Sequence, residues 1–227
     1  MESILQTNDY VGISFWLATA IMLASTVFFL AERGDVDRKW RTSLTVAALV
    51  TGMAFWHYLY MRSGWIATGE SPTVFRYIDW LITVPLQIVE FYLILAAVTV
   101  VRPVLFWKLL IASLVMLVGG YLGEAGLMAS MPAFVIGMIG WAAVIYLIFA
   151  GDAAKASVAS GNVASQTAFN AMRMIVLVGW AIYPIGYLVG DAGSADSLNI
   201  IYNLADLINK TAFGLVIWAA AVQDSEK

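Results

Sequence analysis

The chain has 227 residues, of which 62% are hydrophobic and 12% charged, with a formal net charge of −3. A soluble domain of this length has too little interior for that much apolar surface, so an integral membrane protein is indicated; the modest charge and the lack of a basic patch exclude a nucleic-acid partner. With no cysteine and a single histidine, His57, disulfides, thiolate catalysis and Cys- or His-built metal sites are excluded, and no metal is expected.

A spanning helix needs about 20 mostly apolar residues. Seven runs qualify, at about 10–31, 42–62, 73–99, 104–122, 132–150, 168–189 and 198–221. The breaks between them read "ERGDVDRKWR", "SGWIATGESP", "VRPV", "GEAGLMASMP", "GDAAKASVASGN" and "GDAGSADS". Their Gly, Pro, Ser and Asp mark turns or helix ends. The alternation of a membrane β-barrel is absent. The fold class expected is all-α, a seven-transmembrane-helix bundle forming a single domain over residues 1–227. The opening "MESILQTNDY" lacks the basic region of a signal peptide, so none is expected.

Arg33, Arg38, Lys39 and Arg41 fall in the first break, Arg102 and Lys108 in or beside the third, Lys155 in the fifth, and Lys227 at the C-terminus. The opposite side has only Arg62. The positive-inside rule therefore places the N-terminus outside and the C-terminus in the cytoplasm.

Five charged residues lie well inside the runs: Arg76, Asp79, Glu90, Asp206 and Lys210. Each costs about 2.5–3.5 kcal/mol at a helix centre, and such residues mark interior pathways or pair with one another. At about 100° per residue, with Asp79 at zero, Glu90 falls near 20°, Thr83 near 40°, Arg76 near 60° and Gln87 near 80°. All five share one polar stripe of the third helix. Asp79 and Glu90 stand about 16 Å apart along the axis. That is too far for a glycosidase-type carboxylate pair, which sits within about 10 Å. Two carboxylates at two depths suit stations on a proton route. On the seventh helix Asp206 and Lys210 are i,i+4 neighbours with Asn199 near the same face. That pair is either a salt bridge or a carboxylate beside an amine activated for imine formation.

The stretches "RYIDWLITVPLQIVEFYLILAA", "GWAIYPIGY" and "LADLINK" resemble the microbial rhodopsins, and within them the proteorhodopsins of the blue-absorbing type, along all seven runs. The resemblance implies a light-driven outward proton pump, not an enzyme, in a bacterial inner membrane. It implies all-trans retinal bound covalently to Lys210 as a protonated Schiff base. Asp79 would be primary counterion and proton acceptor, Asp206 the second counterion, and Glu90 the cytoplasmic proton donor, kept protonated among Leu86, Val89 and Leu93. Arg76 would balance the complex from outside. Asp, Thr and Glu at 79, 83 and 90 match the proton-pump pattern. Trp80, Trp180, Tyr183 and Pro184 match the retinal box, with Thr83 beside it and Trp141 and Tyr202 as further walls.

The resemblance also places Gln87 where blue-absorbing forms carry Gln and green-absorbing forms carry Leu. Asn209 would be either a second colour-tuning group or packing. Phe134 stands where carotenoid-binding relatives have glycine, which implies no antenna carotenoid. His57, midway along the second helix, would hydrogen-bond Asp79. Related proteins form homo-oligomeric rings, and Trp16 would pack between subunits. Two other functions remain open: a photosensory rhodopsin signalling through a partner, and a retinal-free proton-coupled transporter.

Overall fold

The computed structural model describes residues 5–189 and 195–226. Nine α-helices are present among them: α1 (Tyr10–Glu32), α2 (Arg41–Thr68), α3 (Thr73–Ala96), α4 (Pro103–Glu124), α5 (Ser130–Phe149), α6 (Asp152–Ser160), α7 (Val163–Met174), α8 (Ile182–Val189) and α9 (Ala195–Ser225). They make seven spans long and apolar enough to cross a bilayer. Consecutive spans pack against each other, and α9 closes the bundle against α1 and α2. The exposed residues include many large apolar side chains, such as Leu23, Val27 and Ile139. That inverted surface suits lipid.

Helix ends follow local chemistry. The Asp9 carboxylate accepts from Gly12 N at 2.8 Å and caps α1. Pro103 occupies the first turn of α4, and the residue before it, Arg102, is extended. Gly69 stops α2 in the left-handed region at φ 70°.

Several boundaries differ from expectation. Residues 63–68 of "SGWIATGESP" continue α2, because Gly69 rather than Gly64 supplies the stop. Most of "GDAAKASVASGN" is helical, as α6, ended by Gly161 at φ 63°. The sixth span begins at Val163, where the Asn162 side chain caps α7 by accepting from Ser165 N at 2.8 Å. The connection "GDAGSADS" lies mostly outside the described residues, as does Lys227.

Two features shape the interior. Between α7 and α8 a π-helical turn, Ile175–Gly179, widens the backbone, with Trp180 N bonded to Ile175 O at 3.1 Å. Between α4 and α5 glycines let backbones approach: a Cβ on Gly119 would sit 2.6 Å from Gly137 N. Small residues serve this purpose in membranes, where apolar burial does not drive helices together.

Candidate functional site

The polar stripe of α3 faces inward. Arg76, Asp79, Thr83, Gln87 and Glu90 are all buried, while Phe75, Ile78 and Ile82 on the other side are exposed. The period of the helix thus separates a lipid face from an interior face.

At the centre, Lys210 Nζ donates to Asp79 Oδ2 at 2.5 Å and to Asp206 Oδ2 at 2.9 Å. The two aspartates differ in what else they hold. Asp206 also accepts from Tyr58 OH at 2.9 Å, from Tyr183 OH at 2.6 Å and from Trp80 Nε1 at 3.1 Å. Four donors nearly fill its lone-pair sites. Asp79 has one further donor, Thr83 Oγ1, at a long 3.5 Å, and its Oδ1 has no hydrogen bond. His57 Nδ1 stands 3.3 Å from that Oδ1. His57 thus stands against Asp79, in contact but out of hydrogen-bond alignment.

Arg76 is one turn from Asp79 yet forms no salt bridge with a carboxylate among the described residues. Its guanidinium donates to Asn199 Oδ1 at 3.0 Å and Asn203 Oδ1 at 3.2 Å, and lies over the Tyr202 ring at 5.3 Å. Asn203 and Tyr58 were not anticipated; Asn203 lies three residues before Asp206 and seven before Lys210, so helical spacing puts it on their face and could have found it, whereas nothing local marks Tyr58.

Glu90 is 1% exposed, and neither carboxyl oxygen has a hydrogen-bond partner. Ser43 of α2 stands beside it. Leu86, Val89 and Leu93 are only half-buried, because they lie round the helix toward its outer side. Fully buried apolar groups in the same core are Leu44, Phe91 and Ile94.

An apolar cavity reaches Lys210 and Asp206 from between α3, α4, α5 and α8, with Trp180, just after the π turn, in its wall. Trp80, Gln87, Trp141, Trp180, Tyr183 and Pro184 line it. Thr83 and Tyr202 are not among its lining residues. Thr83 turns to the backbone and carboxylate of Asp79, and Tyr202 packs behind Trp80 and Tyr183. Phe134 also lines the cavity and packs on Tyr187. The π turn is held open by two side chains. Trp141 Nε1 donates to Val176 O at 3.2 Å, and Asn209 Nδ2 to Gly179 O at 3.1 Å. Gln87 Nε2 donates to Asn209 O at 3.4 Å, beside Lys210. An apolar, aromatic-walled cavity with one amine at its end fits a long hydrocarbon aldehyde joined to that amine.

The bacteriorhodopsin-like protein family model matches residues 9–224. The chain is 61% identical over 225 residues to the green-light absorbing proteorhodopsin of Gamma-proteobacterium EBAC31A08, covering 97% of this chain and 90% of the relative. It is equally identical, 61% over 226 residues with the same coverage, to the blue-light absorbing proteorhodopsin of Gamma-proteobacterium Hot 75m4. Among solved structures, the blue light-absorbing proteorhodopsin from Med12 superimposes with a TM-score of 0.83 at 65% identity, over 95% of this chain and 99% of that one. Such proteins bind retinal through a Schiff base to a lysine. The chain belongs to the bacteriorhodopsin-like family and is a multi-pass retinal protein of the bacterial cell membrane.

Proposed function

We propose that this chain is a light-driven outward proton pump that carries all-trans retinal on Lys210 and absorbs blue light. The observation that carries the reading is the unequal pair around Lys210: Asp206 is saturated with donors, while Asp79 keeps an unbonded oxygen. Retinal on Lys210 supplies absorption of visible light and a light-driven change of shape. Trp80, Trp141, Trp180, Tyr183 and Pro184 wall the cavity and orient it.

The residues do the proton work. In the dark, Lys210 Nζ keeps its proton between two carboxylates, each charge favouring the other. Asp79 Oδ2, at 2.5 Å, is within reach to take that proton. Asp206 stays occupied by Tyr58, Trp80 and Tyr183 and holds the lysine in place. Glu90 then returns a proton to Lys210 Nζ from the other end of α3. An ionised carboxylate with no partner is far costlier to bury than a neutral carboxyl, so Glu90 suits a stored proton. Glu90 lies about 16 Å from Asp79 along the axis, beyond the reach of direct transfer, so its proton travels to the lysine nitrogen through a chain of waters that enters when the bundle opens.

Arg76 and its two asparagines lie at the end of the bundle poor in Lys and Arg, and Glu90 at the basic end. With the N-terminus outside and the C-terminus in the cytoplasm, the proton moves outward. The exposed aromatics Trp16, Trp56 and Tyr60 suit packing between copies in a homo-oligomeric ring, since association within lipid rests on packing and polar contacts. Illuminating intact cells that express the chain with retinal should acidify the medium, and a protonophore should abolish the change. A coloured protein without acidification would point to a photosensor. Failure to gain colour with all-trans retinal would point to a retinal-free transporter.

A further inference from the structure

At the Glu90 end of the bundle, a carboxylate outside the pumping centre gathers three elements. Asp224, near the end of α9, is 9% exposed. Its Oδ2 is 2.6 Å from Lys39 Nζ and accepts from Trp40 Nε1 at 3.0 Å. Its Oδ1 accepts from Asn162 Nδ2 at 2.6 Å. Lys39 and Trp40 lead into α2, and Asn162 caps α7. One side chain therefore ties the entry of the second span, the entry of the sixth and the end of the seventh.

Two of those ties reach toward Glu90. Trp40 is fully buried, and three residues on, about one turn deeper, Ser43 stands beside the Glu90 carboxyl. Asn162 Oδ1 holds Ser165 N at 2.8 Å, and buried Ser165 Oγ donates to Ile94 O at 3.3 Å, one turn along α3 from Glu90. Axial rise gives the depth. Asp224 lies 14 residues beyond Lys210, about 21 Å, and Glu90 11 residues beyond Asp79, about 16 Å. Asp224 thus sits about 5 Å nearer the surface, on the outer side of Glu90. The backbone adds a stitch at the same place, Asp37 N donating to Ser225 Oγ at 2.8 Å.

We propose that Asp224 is a positioning residue that keeps the bundle closed over Glu90, so that proton uptake by Glu90 waits on release of Trp40 and Asn162 from its carboxylate. This rests on Glu90 being the donor, but closure can be measured without pumping. A buried group exchanges with solvent through local opening, and each tie removed makes opening easier.

The test is hydrogen–deuterium exchange at the Glu90 carboxyl. Its infrared C=O band, identified by its loss in Glu90→Gln, is followed in the dark after transfer of the retinal-bound protein to D2O. Asp224→Asn should speed exchange about tenfold, corresponding to about 1.4 kcal/mol, with the visible band unchanged. Asp224→Glu should exchange nearer the wild-type rate, and Trp40→Phe, which keeps a buried aromatic ring but loses one donor and some volume, should also speed exchange. If Asp224→Asn fails to fold, Trp40→Phe and Lys39→Gln each remove a single tie and carry the same comparison. Unchanged or slower exchange in these variants overturns the proposal. A protein in which Glu90→Gln pumps at the wild-type rate overturns the donor role instead and leaves the closure result readable.

Discussion

The two halves of α3 treat a buried carboxyl in opposite ways. Around Lys210 the aspartates meet a cation and a ring of hydroxyl and indole donors. Around Glu90 no ion pair is formed among the described residues, and the polar side chain beside it is Ser43, outside strict hydrogen-bond geometry. A dense polar network holds charge at little cost, whereas an isolated carboxyl holds a proton instead. The same residue chemistry therefore serves two roles, set by what faces it from α2, α8 and α9. Within the first half the contrast repeats on a smaller scale, between saturated Asp206 and open Asp79.

The strongest way to break the comparison is to remove the open acceptor. Asp79→Asn keeps the shape but cannot take a proton, and light-driven acidification should vanish. The visible band should move to the red, because Lys210 loses one of its two anionic partners. Residual pumping in Asp79→Asn would transfer the acceptor role to Asp206, against its full set of donors.

The next effect tests the other half. Glu90→Gln should slow reprotonation of the Lys210 nitrogen by about 100-fold or more, within the span of general acid catalysis, and leave the dark spectrum in place. Flash photolysis reads both. A wild-type rate would show that the unpartnered carboxyl is only a packing feature.

A smaller effect separates the two aspartates. Tyr58→Phe removes one donor from Asp206 inside the bundle. Such buried membrane hydrogen bonds average about 0.6 kcal/mol and reach about 1.7, which lowers the melting temperature by about 1–7 °C for a chain of this size. Tyr146→Phe, at an exposed site on α5, is the control and should change nothing. Equal melting of the two variants would mean that Asp206 does not depend on its ring of donors.

How much of this was readable in advance depends on whether a contact stays within one helix. The stripe of α3 and the pairing of Asp206 with Lys210 follow from helical period alone, and both appear as expected. The cavity walls Trp80, Trp180 and Tyr183 followed from resemblance to the rhodopsins. Contacts between helices were not legible from spacing, and the one between Lys210 and Asp79 came from the resemblance alone. Tyr58 reaches Asp206 across 148 residues, and Arg76 reaches Asn203 across 127, so no local pattern announces them. Tyr202 was placed in the wall by the same resemblance, yet its ring lies under Arg76 and outside the cavity lining. The widened turn at Ile175–Gly179 was invisible for another reason. It is sustained by Trp141 and Asn209, which belong to other helices.

The smallest change expected is one of colour, and it probes how finely the Lys210 half is tuned. Excitation moves positive charge away from the lysine nitrogen along the hydrocarbon. A dipole near the cavity wall that favours the ground-state charge widens the gap. Gln87 lines the cavity and donates to the backbone carbonyl of Asn209, beside Lys210. Gln87→Leu removes that dipole and should shift absorption to longer wavelength while pumping continues. The Asn209 side chain is engaged elsewhere, on Gly179 O and Tyr183 OH. Gln87→Leu and Asn209→Ala therefore remove different contacts, and their spectral shifts, expressed as energies, should add. Shifts that fail to add would mean that Gln87 acts by setting the position of Asn209, and no shift in Gln87→Leu would remove it from the colour mechanism and with it the support for blue absorption.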